Sequence, residues 1–251
     1  MDIEGHLAAL QEVGDRLAAA ARGAGLATPV PTCPGWSVRD LVAHVGGVHR
    51  WAASIVATGR MDPTDEGDEA RFFERVPDDD IVEWFSAGHA ALIRTLADAD
   101  RALECWTFLT APSPLSFWAR RQAHETAIHC ADAEAAARIE SRFPIDLAVD
   151  GIDELLVGFF GRDRGGLNAD PPVTFGFRTT DAPAAWTVHL ERERREILVG
   201  TPAAADCTVE GPASDLYLVL WNRRPAELPV AISGRPELMD LWRQHARVVW
   251  A

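Results

Sequence analysis

Apolar residues recur at intervals of three and four through most of the first 140 positions, and that rhythm commits this part of the chain to amphipathic helices. From Ile3 to Arg22 the stripe is Leu7, Leu10, Val13, Leu17 and Ala20, and Gly23-Ala-Gly25 ends it. Pro29, Pro31 and Pro34 keep the next stretch extended or turned, because proline offers no amide donor and restricts the residue before it. Ser37 then reads as an N-cap, with Asp40 reaching back to free amides, and a second helix follows from Val38 to Thr58. Asp80 to Ala97 and Pro114 to Ala137 supply a third and a fourth helix. The acidic stretch 60–80, with two prolines, reads as a surface loop with a short helix at 70–74, a segment whose mobility could gate a cleft. Four helices of this length pack most simply as a bundle.

After Phe143-Pro144 the texture changes. A helix is expected from Ile145 to Phe160. Short alternating runs follow at Val173–Arg178, Ala185–Glu191, Glu196–Val199 and Cys207–Glu210, and they read as antiparallel strands. Ser214 to Trp221 and Pro236 to Arg247 read as helices. The fold class is therefore α plus α+β. A four-helix bundle at 1–143 precedes a small α+β domain at 144–251.

Charge narrows the partners. The net charge of -14 argues against a phosphate backbone or an anionic membrane as the main partner. All 24 basic residues are arginine, so neither Schiff-base chemistry nor a phosphate-loop lysine is available. Cys33, Cys105, Cys130 and Cys207 form no Cys-x-x-Cys pair, which excludes a zinc ribbon and a dithiol redox motif. The start lacks a basic segment followed by an apolar core, and no run of eighteen apolar residues occurs. A reduced, cytoplasmic protein acting on small molecules, with a monomer as the simplest assembly, is the expectation.

Against that background three side chains stand out: His44 in the second helix, and Glu125 and His129 in the fourth. Successive helical residues rotate by about 100°, so Glu125 and His129, four apart, share one face and can grip one ion. His124 is five positions from His129 and points elsewhere, which rules out the His-Glu-x-x-His arrangement of zinc proteases. Imidazole, carboxylate and imidazole suit zinc, and also nickel, iron or manganese. From spacing alone a solvated Glu–His pair and a hydrogen-bonded histidine are the commoner arrangements, and the metal site is the minority one. Asp40 is explained by its capping role, Arg120 and Arg121 read as solvated, and the tandem Gly46-Gly47 implies close helix packing. Trp36, Trp51, Trp84 and Trp118 read as core.

The segments PTCPGWSVRDLVAHVGGVHRW (31–51) and RRQAHETAIHCADAEA (120–135) resemble the two helical signatures of the mycothiol-dependent maleylpyruvate isomerase family. ADCTVEGPASDLYLVLWNRRP (205–225) is similar to its C-terminal domain. The resemblance implies a DinB-like metal-binding four-helix bundle followed by a small sterol-carrier-like α+β domain. By position it implies metal ligands at His44, Glu125 and His129, and a catalytic arginine at Arg223 or, less favoured, Arg224. It further implies a divalent metal, zinc first, and mycothiol as co-substrate.

Such a site would lower the pKa of a bound thiol and deliver thiolate at neutral pH. The thiolate would isomerise a small electrophile such as maleylpyruvate or, if it stays attached, make the protein a thiol S-transferase. The rival readings are a non-enzymatic metal- or apolar-ligand-binding module and a hydrolase using metal-bound water.

Overall fold

The computed structural model describes residues 1–63, 72–73, 76–162, 166–200, 204–224 and 230–248. The chain divides into two compact units, Met1–Ser141 and Arg142–Ala251. Among the described residues no helix is long and apolar enough to cross a membrane.

In the first unit, helix α1 spans Ile3–Ala24, with the Asp2 carboxylate accepting from the Gly5 amide at 2.8 Å. It ends at Gly25, whose φ of 85° an L-residue would resist. Helix α2, Val38–Thr58, begins in the expected capping box: Ser37 Oγ accepts from the Asp40 amide and Asp40 accepts from the Ser37 amide. Asp40 is thereby spent on the cap. Helix α3 is Ile81–Asp98 and follows a single turn of 3₁₀ helix at Asp78–Asp80. Helix α4, Pro114–Ala136, is opened by reciprocal bonds between Ser113 and Ser116, with Pro114 at its first position, where a missing amide costs nothing. Helix α1 packs on α3 and α4, and α2 packs on the same two neighbours. Leu10, Leu17, Leu41, Val45, Ile55, Phe85, Leu92 and Trp118 fill the space between them. The short helix expected at 70–74 falls mostly outside the described residues; of that stretch Phe72 and Phe73 are described.

Helix α4 is unlike the others. Every residue from Arg121 to Glu134 is buried, although the run holds an arginine, two glutamates, two histidines and an aspartate. An all-round buried helix is ordinarily apolar all round, so these polar groups must find partners inside the protein.

Helices α2 and α3 meet where Gly46 faces Trp84. A Cβ added at Gly46 would stand 2.2 Å from the indole ring. That ring is boxed in: the Arg50 guanidinium lies 3.7 Å from its centroid and donates to Gly46 O at 3.0 Å and to Trp84 O at 2.7 Å.

The second unit begins with helix α5, Ile145–Asp153, which widens into a π-helical segment at Glu154–Phe160. Strands β1 (Val173–Thr179), β2 (Ala185–Leu190), β3 (Arg195–Val199), β4 (Cys207–Gly211) and β5 (Ala231–Gly234) form one sheet in the order β3-β2-β1-β4-β5. Helix α6, Ala213–Leu220, lies between β4 and β5 in sequence and packs on α5; helix α7 is Leu238–His245. Phe175, Phe177, Phe160 and Trp242 make an aromatic core, with Trp242 4.9 Å from the Phe177 centroid.

Two strand expectations need correction. Strands β1 and β4 pair in parallel, Phe175 opposite Cys207, whereas the other pairs are antiparallel. Alternation along a strand encodes which face is buried and carries no information on direction. Strand β5 was also not anticipated: only Ile232 of its four residues is partly covered, so no alternating stripe marks it.

Replacing Gly46 by Ala is expected to cost about 1–3 kcal/mol of stability through overpacking. Gly23→Ala, where nothing lies within 4 Å of the added methyl, should instead gain up to about 1 kcal/mol from helix propensity. Urea denaturation of the two variants checks both signs.

Candidate metal centre

Three side chains converge in the first unit. Helix α2 supplies His44, half-buried, and α4 supplies Glu125 and His129, both buried. Glu125 Oε1 lies 3.3 Å from His129 Nε2 and 3.5 Å from His44 Nε2, and the two imidazole rings stand 5.2 Å apart at 78°. One ligand atom from each of the three lies within 4.8 Å of the others. Glu125 Oε1 is buried and makes no hydrogen bond of normal geometry. A buried carboxylate oxygen in that condition is costly unless a cation faces it. Donors held at about 2.1 Å by one tetrahedral ion stand roughly 3.4 Å apart, so the two observed separations suit two imidazole nitrogens and a carboxylate facing one divalent ion.

The other oxygen of Glu125 is already engaged. Arg121, one turn earlier and 1 % exposed, donates from Nη2 to Glu125 Oε2 at 3.1 Å. Arg121 was expected to be solvated, and the structure corrects this. Its position four residues before Glu125 places it on the same buried face, where a carboxylate is available to balance it.

Around the three sit aromatic walls. Trp36 stacks on His129 with centroids 6.3 Å apart and meets His44 edge-on at 5.0 Å, and Phe73 lies 6.2 Å from the His44 ring. Trp36 was read as core, yet it is half-exposed at the site. Trp118, by contrast, is fully buried.

The family model described as "Mycothiol maleylpyruvate isomerase N-terminal domain" matches residues 7–134, and that described as "MDMPI C-terminal domain" matches residues 146–241. The chain belongs to the mycothiol maleylpyruvate isomerase family. Its fold is similar to a solved structure of the mycothiol-dependent maleylpyruvate isomerase carrying a histidine-to-alanine mutation, with 14 % identity, a TM-score of 0.63 and 93 % of each chain covered. The structure of the mycothiol-dependent maleylpyruvate isomerase without that change gives 14 % identity and a TM-score of 0.61, again with 93 % of each chain covered. No curated protein sequence matches the chain.

In this member of the isomerase family the remaining histidines of the signatures serve the core. His49 Nε2 lies 2.9 Å from Thr126 Oγ1, and burial holds its pKa well below the ordinary imidazole value. His124 is fully buried with its ring edge-on to His6. Cys130 is buried as well, and burial raises its thiol pKa far above normal. Arg223 follows directly after α6 in the second unit, half-buried, with Nη1 donating to Trp221 O at 3.0 Å, and its neighbour Arg224 is ion-paired with Asp215.

Sequence reasoning missed Arg121 and also Asp132, whose Oδ2 lies 2.9 Å from His129 Nδ1. The i,i+4 and i,i+3 spacings were the available signals, but nothing in them says that the helix is buried on every side.

Electrostatically the metal-free site is a compact ion cluster. Burial alone would lower the His129 pKa, but the hydrogen bond to Asp132 and the negative charge of the Glu125 and Asp132 carboxylates outweigh it and raise the value to about 9. Burial likewise opposes ionisation of Glu125, yet His129, His44 and Arg121 hold its carboxyl well below the ordinary range. A histidine with a raised folded-state pKa contributes stability that is complete below its unfolded value of 6.5 and is lost as pH rises through about 9. Glu125 contributes stability present above 4.5 and lost in more acid solution. Metal-free protein should therefore show its highest melting temperature between those two values and decline towards pH 9. Thermal scans in chelator across pH check this, and a melting temperature that rises from pH 6.5 to 9 would contradict it.

Proposed function

We propose that this protein is a metal- and mycothiol-dependent isomerase acting on small unsaturated acids of the maleylpyruvate type. His44, Glu125 and His129 would hold the ion, with zinc first among the metals that suit two imidazoles and a carboxylate. The observation that carries the reading is the buried Glu125 Oε1, set between two imidazole Nε2 atoms without a hydrogen bond and backed by Arg121 on its other oxygen. Membership of the family supplies the thiol and the substrate class. A divalent ion there, with three protein ligands, would offer a thiol an open position and lower its pKa.

The protein's own groups prepare that chemistry. Arg121 balances the Glu125 carboxylate from behind, so the charge of a divalent ion held there would be less offset by that carboxylate and would attract an anionic thiolate. Trp36 and Phe73 place apolar surface beside the imidazoles, so the attraction acts in a lower dielectric than water. Arg223 would hold a substrate carboxylate through two parallel N–H···O bonds. The thiolate adds to the cis double bond, forming a C–S bond and moving the π electrons into the neighbouring keto group as an enolate. Rotation about the new single bond and expulsion of the thiolate restore the double bond as trans, so the thiol is not consumed.

The zinc-loaded protein should convert maleylpyruvate to its trans isomer only when mycothiol is present. His44→Ala should reduce metal content from about one ion per chain to a small fraction, and Arg223→Ala should raise KM for the diacid. Cleavage of a substrate by water without thiol would point instead to a hydrolase, and full metal occupancy in His44→Ala would sink the ligand set. If the thiol is found covalently attached to the product, the protein is an S-transferase built on the same site.

A further inference from the structure

Asp132 lies three residues beyond His129 on α4, and its side chain is completely buried. Its Oδ1 accepts from the Thr32 hydroxyl at 2.5 Å. Its Oδ2 accepts from the Cys33 thiol at 3.3 Å and faces His129 Nδ1 at 2.9 Å. An ionised carboxylate can only accept hydrogen bonds, so the imidazole must carry a proton on Nδ1. The opposite tautomer would set a ring lone pair against an oxygen lone pair at that distance. In the neutral ring, the only form that can ligate a metal, Nε2 is then the nitrogen left with a lone pair, and Nε2 faces Glu125 Oε1.

The same carboxylate controls a second contact. Thr32 and Cys33 belong to the proline-rich turn, which is closed by backbone bonds from Val30 N to Trp36 O, from Cys33 N to Val30 O and from Trp36 N to Cys33 O. Trp36, at the end of that turn, lies nearly parallel to the His129 ring, with an interplanar angle of 17°. One buried carboxylate thus fixes His129 at its edge directly and on its face through the turn.

We propose that Asp132 is a positioning residue: it holds His129 in the tautomer and orientation that present Nε2, and it anchors the Thr32–Trp36 turn against that ring. The inference rests on His129 being a ligand, as proposed above. Partners of this kind on ligating histidines are typically worth 10–100-fold in metal affinity.

The test is competitive zinc titration of full-length protein against a chromophoric chelator, with ¹⁵N-histidine NMR of the zinc-loaded protein to report which ring nitrogen of His129 carries the proton. Asp132→Ala should bind zinc about 10–100-fold more weakly and lose the fixed Nδ1-protonated signature. Asp132→Asn, which keeps an acceptor oxygen and nearly the same volume, should recover part of the affinity. Glu134→Gln is the control, since Glu134 is also buried on α4 but pairs with Arg16 at 3.0 Å; it should leave zinc affinity within twofold while lowering stability. If Asp132→Ala does not fold, the comparison of Asp132→Asn with Glu134→Gln still decides. Tight zinc binding by the unsubstituted protein that is unchanged in the Asp132 variants overturns this inference alone. Absence of zinc binding by the unsubstituted protein overturns the ligand reading and this inference together.

Discussion

A carboxylate in a protein interior must be met by positive charge or hydrogen-bond donors, and the first unit is organised around meeting that requirement at Glu125. Arg121 satisfies one oxygen from the same helix. The other oxygen is left to two imidazoles, one from the same helix and one from α2, at separations too long for good hydrogen bonds. Because one of those imidazoles comes from α2, the requirement at Glu125 also bears on how α2 lies on α4.

The same logic explains how α4 can be buried on every side while carrying so many polar groups. Its charges leave in several directions: Arg121 to Glu125, Asp132 to the turn before α2, and Glu134 to Arg16 on α1. Thr126 receives His49 from α2. The Arg121–Glu125 pair is internal to α4, whereas the other links join it to α1, to α2 and to the turn before α2, and each would be costly to break because the partner would be stranded. Polar groups do here what a leucine stripe does in an ordinary bundle, with the difference that their geometry is specific.

Much of this could be read from the chain. The helix starts at Ser37 and Pro114, the stripe from Leu7 to Ala20 and the pairing of Glu125 with His129 on one face all follow from local rules, and the structure bears these out. The α plus α+β class was legible for the same reason. The parallel pairing of β1 with β4 was not, because strand direction depends on the path of the chain and not on the residues within the strand. Arg121 and Asp132 were passed over because a charged residue on a helix is usually solvated; recognising them required knowing that this helix has no solvated side.

Gly47 has a consequence of a different kind. A Cβ there would lie 2.4 Å from the Phe73 ring and 3.1 Å from Phe72 O, so it is the bare backbone of α2 that lets the Phe72–Phe73 pair settle close to His44. The clearance beside that imidazole is therefore metered by an absent methyl group three residues away. A side chain at position 47 would push the Phe73 ring away and so change the space beside His44 while leaving His44, Glu125 and His129 themselves untouched.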